Sequence, residues 1–265
     1  MGFTGYGLAG ALDLPGLSHT TLDLPKLPAA WEGLTIAQVS DVHAGPYMRA
    51  DRMARITEMV MSLDADLVVF TGDQMDRRPS DADRFIRGFA GISAPLGVVG
   101  ILGNHDHYFD PRLSEHALVE TGITPLVNQT ATLSRGGVDI SLVGLEDLNA
   151  GGNRGPDFEC VQRAPTDFSI CLSHQPRTWH DVAAAGADLM LAGHTHGGQI
   201  AINQRNLNVA RFQGRYIAGP YRGDQSCLYV SRGIGVGAVP LRVGAPPEID
   251  LLVLRRPAKD SALAA

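Results

Sequence analysis

Five short apolar runs in this chain each end in a cluster of Asp, His, Asn or Gly, and that recurrence most narrows what the chain can fold into. The run 34–40 leads into Asp41-Val42-His43, and 66–71 into Gly72-Asp73-Gln74-Met75-Asp76. The run 96–102 leads into Gly103-Asn104-His105-Asp106, and 168–172 into Ser173-His174. The fifth, 188–192, leads into Gly193-His194-Thr195-His196-Gly197-Gly198. Runs of this length, rich in Val, Ile and Leu and bounded by Gly, read as buried strands of a parallel sheet.

Helical periodicity lies between the runs. Met53, Ile56, Val60 and Leu63 fall on one face of a helix over 51–63, and further helices are expected over 81–90, 113–120 and 178–185. Strands alternating with helices imply a mostly parallel α/β sheet, whose ligands sit beyond the carboxyl ends of the strands. All five clusters occupy those ends, so distant pieces of sequence should meet on one rim. A hairpin is expected over 132–143 around Arg135-Gly136-Gly137, with strands at 226–231 and 249–254 and a Gly/Pro-rich loop over 233–247. Residues 1–30 are dense in breakers and read as an extended lead-in, with 20–24 a candidate edge strand. A single catalytic domain over 31–256 and a flexible tail over 257–265 complete the expected organisation.

The candidate ligands Asp41, His43, Asp73, Asn104, His174, His194 and His196 are carboxylates, imidazoles and one amide. A set without sulfur suits divalent Mn, Fe, Zn or Co. Seven donors exceed the three or four of one catalytic zinc, which points to two cations. Two divalent ions about 4 Å apart repel by roughly 16 kcal/mol at an effective dielectric of about 20, so bridging anions must offset the repulsion. Such a pair can clamp the attacking and leaving oxygens of an in-line phosphoryl displacement.

Other functions fit less well. The net charge of -6 leaves no electrostatic footprint for nucleic acid. Cys160, Cys171 and Cys227 are scattered and odd in number, against a disulfide framework or a thiolate zinc site. There is no G-x-S-x-G and no P-loop. No run reaches the ~18 apolar residues of a membrane helix, and the first Lys is Lys26, so a basic signal-peptide n-region is missing. The expectation is a chain soluble as written and cytoplasmic by default, with an envelope-anchored or exported parent left open. Oligomeric state is not legible.

Together, Asp41-x-His43, Gly72-Asp73-x-x-Asp76, Gly103-Asn104-His105-Asp106, His174 and Gly193-His194-Thr195-His196 resemble the five blocks of the calcineurin-like metallophosphoesterases. More loosely, Gly197-Gly198-Gln199-Ile200, Ser231-Arg232-Gly233-Ile234-Gly235 and Pro246-Pro247-Glu248-Ile249 resemble a bacterial, envelope-type branch of that family. The resemblance implies a four-layer αββα sandwich, two mixed sheets flanked by helices, with two divalent ions (Mn, Fe or Zn) at one rim. Asp41, His43, Asp73 and His196 would hold the first ion, and Asp73, Asn104, His174 and His194 the second. Asp73 is then the bridging ligand, and a metal-bridging hydroxide the nucleophile. His105 would be the general acid or a phosphate clamp, paired with Asp76, and Asp106 would orient the loop. Asn104 and Arg232 are candidate substrate contacts. Arg77 lies where some phosphatases place an Arg on the phosphate, beside the equally open reading of a solvated surface Arg. His19, His116 and His180 match no block and read as structural or solvated; His107 is the one nearest the expected pocket. The expected substrate is a small phosphodiester. Alternatives are a pyrophosphate on a nucleotide-linked lipid or sugar, a phosphomonoester and, remotely, a non-catalytic binding module.

Overall fold

The apolar runs become strands of two separate sheets in the computed structural model, which describes residues 13–257 apart from 109, 153, 200, 204–206, 209–213 and 238. The beginning of the expected lead-in (1–12) and nearly all of the expected tail (258–265) lie outside the described residues. Along sheet one run β1 (Gly16–Asp23), β14 (Glu248–Arg255), β2 (Thr35–Val39), β3 (Leu67–Thr71), β4 (Val98–Ile101) and β5 (Thr124–Pro125). Sheet two is ordered β12 (Gly219–Arg222), β13 (Cys227–Val230), β9 (Leu189–Ala192), β8 (Ser169–Leu172), β7 (Val138–Gly144) and β6 (Gln129–Arg135). A small ribbon pairs β10 (Ala201–Asn203) with β11 (Leu207–Asn208).

Both sheets are mixed. β2 to β5 are parallel, while β14 runs antiparallel to β2 and parallel to β1. β7, β8, β9 and β13 are parallel, with β6 and β12 antiparallel at the two edges. Strand alternation then builds three apolar layers. Ile36, Leu67 and Val69 face Ile140, Ile170 and Leu189 between the sheets. Ala37, Val68 and Phe70 point outward against helices α1 (Ala50–Met61), α2 (Ser80–Gly88) and α3 (Pro111–Glu120). On the far side, Cys171 and Met190 meet α4 (Glu159–Gln162) and α5 (Trp179–Ala184) through Val161, Trp179 and Val182. This is the four-layer sandwich.

The helices carry ordinary local signals. α1 buries Met53, Ile56 and Val60 along one stripe and places Asp51 in its first turn, where the helix dipole favours an anion. α3 starts with Pro111, and the Asp110 side chain accepts from Arg112 N. The hairpin turns at Gly136-Gly137, both at positive φ, and its strands run longer than expected, from 129 to 144.

β1 matters for the rim. It pairs with β14 along its whole length, and Gly16 N donates to Pro247 O at 3.0 Å. Because β14 opposes β2, both strands begin at the end of the sheet where β2 finishes. Glu248 N donates there to Gly233 O.

Candidate metal centre

The loops after β2, β3, β4, β8 and β9 converge where the carboxyl ends of the two sheets meet. Gln38, wholly buried, joins the sheets just below, its amide donating to Thr71 Oγ1 in sheet one and Ala192 O in sheet two. The loops are pinned to one another by Asp41 N to Gly72 O, His43 N to Asp73 O and Gly193 N to His174 O.

Three groups have their ligand atoms within 4.8 Å of one another: His43–Asp76–His105 toward the open side and, more deeply buried, two triads, Asp41–His43–His196 and Asp73–His174–His194. Asp73 touches both triads: its Oδ2 lies 3.6 Å from His43 Nε2 and 3.3 Å from His174 Nε2. His196 Nε2 is 3.5 Å from Asp41 Oδ1 and 3.1 Å from His43 Nε2. His194 Nδ1 faces His174 Nε2 at 3.3 Å. Asn104 is buried, and its Oδ1 finds no hydrogen-bond partner among the described residues. Facing imidazole nitrogens, buried carboxylates and an orphaned amide oxygen fit divalent cations better than they fit one another. All seven expected donors gather at this rim.

The backbone is strained at these positions. Eight described non-glycine residues have positive φ, and five of them are Asp41, His43, Asp73, His194 and His196. Left-handed backbone costs about 1–2 kcal/mol per residue, so the five together consume roughly 5–10 kcal/mol, comparable with a domain's net stability. Such geometry persists where its surroundings over-determine it, and it concentrates at functional sites. Close approach also explains two glycines. A Cβ at Gly103 would lie 2.3 Å from Asp73 Oδ1, and one at Gly193 would lie 1.9 Å from Ser40 Oγ.

Electrostatics keep most of the nitrogens available. Burial lowers His43 and His194 to about 3. His196 also falls well below the usual range, through burial and then the neighbouring His43 and Arg242. A neutral imidazole has the free lone pair that a metal requires. Burial opposes charge on His174 and Asp73 as well, but their mutual attraction overrides it, holding His174 well above and Asp73 well below their ordinary values. Asp41 is pushed up to about 6 by burial.

His105 stands at the open side, with Nδ1 3.2 Å from Asp76 O and 3.6 Å from Asp76 Oδ1. Burial works against its protonation, but the Asp76 carboxylate prevails and the pKa is raised. Asp106 accepts from Gln74 N, Met75 N, Gly103 N and Ser114 Oγ, and so ties the β3 and β4 loops together.

The remaining candidates lie elsewhere. Arg232 is bound to Glu248 through side chain and backbone, and with it lines a cavity of about 560 Å³ that none of the seven donors lines. Arg77 is exposed beside Asp76. His19 and His116 are exposed, and His180 meets Tyr216 Oη. His107 pairs with Glu146 at 2.8 Å, both side chains shielded from solvent.

The sequence reading missed two groups. Glu146 gave no signal, since it follows an unremarkable strand. Arg242 is buried, with Nη2 3.1 Å from His196 Nδ1. Its one signal was a lone cation in the Gly/Pro-rich 233–247 loop.

The two-sheet sandwich, with Asp, His and Asn gathered at its strand ends, is of the metallophosphoesterase class. The family model for calcineurin-like phosphoesterases matches residues 34–198, and the chain belongs to that family. It is 32% identical over 261 residues to an uncharacterized metallophosphoesterase, YkuE, of Bacillus subtilis, spanning 95% of this chain and 90% of the relative. It is 30% identical to a Bos taurus transmembrane protein with a metallophosphoesterase domain, covering 94% of this chain but 59% of that protein. The UDP-2,3-diacylglucosamine pyrophosphatase LpxG of Chlamydia trachomatis is 28% identical over 87% of this chain and 86% of its own length. Among solved structures, the Thermus thermophilus sulfate thiohydrolase SoxB shares the fold, with a TM-score of 0.53 at 14% identity over 90% of this chain and 60% of that one.

Proposed function

We propose that this chain is a phosphodiesterase working through two divalent cations, Mn, Fe or Zn, held by the seven rim residues. The observation that carries the reading is Asp73, whose one carboxylate oxygen faces a histidine of each triad. A shared anion between two donor sets is what the mutual repulsion of two cations demands. Asp41, His43 and His196 complete the first site, and Asn104, His174 and His194 the second. When bound, two such ions supply a water acidified toward neutrality and a positive clamp on phosphate oxygens.

The chain's own groups do the rest. His105, kept protonated by Asp76, donates its proton to the departing oxygen. Asp106 holds the His105 turn against the β3 loop. Asn104 offers its amide to a phosphate oxygen as well as its carbonyl to the second site. Arg232 serves the substrate only at the cavity beyond Gly197, since Glu248 holds its guanidinium there.

A singly charged phosphate suits a rim at which Glu248 holds the Arg232 guanidinium and the backbone carbonyls of Gly235 and Ala245 hold that of Arg242. We infer a single catalytic domain over 31–256, with 16–23 attached to it as an edge strand. No described helix is long and apolar enough to cross a membrane. The chain would then be a soluble catalytic unit, cytoplasmic by default, or the soluble part of an anchored protein like the transmembrane relative. Hydrolysis of a nucleotide-linked pyrophosphate is the second reading, favoured by the similarity to LpxG.

Rates of the manganese-loaded protein on a bis-aryl phosphate and on a mono-aryl phosphate test the choice. The diester is expected to turn over faster. A strong preference for the monoester overturns it, and inertness toward both beside cleavage of a nucleotide-sugar pyrophosphate installs the second reading.

A further inference from the structure

The two sites differ in what stands behind their histidines. A metal-binding imidazole normally donates its second ring N–H to a carbonyl or carboxylate, which fixes the tautomer and strengthens the ligand. At the second site His174 has this arrangement. His174 Nδ1 lies 2.8 Å from Thr71 O, so its Nε2 is presented to the cation.

The first site lacks it. Behind His196, Nδ1 faces Arg242 Nη2 at 3.1 Å. A guanidinium has donors and no acceptor. When Nε2 binds a cation, Nδ1 carries the proton and points it at another donor. A fixed positive charge also stands across the ring from the ion. Arg242 cannot easily turn away, because Nε donates to Gly235 O at 2.9 Å, Nη1 to Ala245 O at 3.2 Å and Nη2 to Arg232 O at 2.9 Å. The other histidine of this site is no better supported: His43 Nδ1 is buried without a hydrogen-bond partner among the described residues.

We propose that the first site, Asp41, His43 and His196 with the shared Asp73, binds its cation more weakly than the second, Asn104, His174 and His194 with the same Asp73, and that Arg242 is the positioning residue responsible. The proposal rests on the two-cation reading. Loss of such outer support lowers metal affinity about 10–100-fold, so the two sites differ by at least about tenfold. At limiting metal the chain holds one cation, and turnover follows the filling of the other site. Metal supply thereby becomes a control on activity.

Calorimetric titration of the metal-free protein with Mn(II) tests this. The wild type is expected to show two steps separated by at least about tenfold in affinity. His43→Ala should abolish the weaker step and spare the tighter one, and His174→Ala should do the reverse. Arg242→Met, if circular dichroism shows it folded, should strengthen the weaker step, whereas Arg242→Lys should not. Two equal steps, or loss of the tighter one in His43→Ala, overturn the inference while the two-cation reading stands. If neither His43→Ala nor His174→Ala changes Mn(II) binding, the two-cation reading itself fails.

Discussion

The rim and the core between the sheets are built by opposite rules. In the core, Ile36, Leu67, Ile140 and Ile170 are fully buried, apolar and set by simple strand alternation. At the rim, Asp41, Asp73 and Asp106 are just as buried, yet they are charged residues, two of them on left-handed backbone. Every local choice in the core agrees with the fold, and nearly every local choice at the rim opposes it. The core therefore supplies the stability that the rim consumes, and variants in the two regions should separate cleanly.

The largest effect is expected at the bridge. On the proposed two-cation mechanism each ion would contribute several kcal/mol to the reaction, so Asp73→Asn should lower kcat/KM by more than about 10⁴-fold. The metal-free melting temperature should hold or rise, and added Mn(II) should no longer raise it. A fall in metal-free Tm like that of a core variant would erase the contrast. His105→Ala comes next, slowing turnover by about 10²–10⁴-fold with metal content by elemental analysis unchanged. Loss of metal in that variant would make His105 a ligand and not the acid.

On the other side of the comparison, Ile140→Ala should cost about 2–5 kcal/mol of stability by denaturant unfolding, with kcat of the folded fraction unchanged. A kcat loss would mean that the core tunes the rim. The smallest effect concerns the buried His107–Glu146 pair. The Glu146 carboxylate overcomes burial and raises His107, and it is itself lowered by His107 in return. A raised histidine stabilises fully below its unfolded pKa, so thermal stability should decline as pH rises through His107's raised value. Glu146→Gln should flatten that decline, and an unchanged slope would remove His107 as its source.

The sequence made the interior legible and the edges obscure. Runs such as 66–71 and 168–172 became β3 and β8 within a residue at either end, because burial on both faces leaves an unbroken apolar signal. β5 and β12 were missed. Each contains a proline, Pro125 or Pro220, which reads as a breaker but is tolerated on an edge strand. The division into two sheets came from family resemblance, since periodicity cannot say which strands pair. In the same way the seven donors were visible as motifs, whereas Arg242 and Glu146 were not. What those two do depends on which distant loop folds over them, and neighbouring residues carry no trace of that.

The side-by-side start of β1 and β14 has a practical corollary for immobilisation. Gly16 enters the sheet beside Pro247, at the end that bears the Asp and His loops, whereas Asp23 and Arg255 close the pair at the opposite end. A tether fused ahead of Gly16 would hold the reactive face toward its support, and one fused after Arg255 would turn that face outward into the bulk.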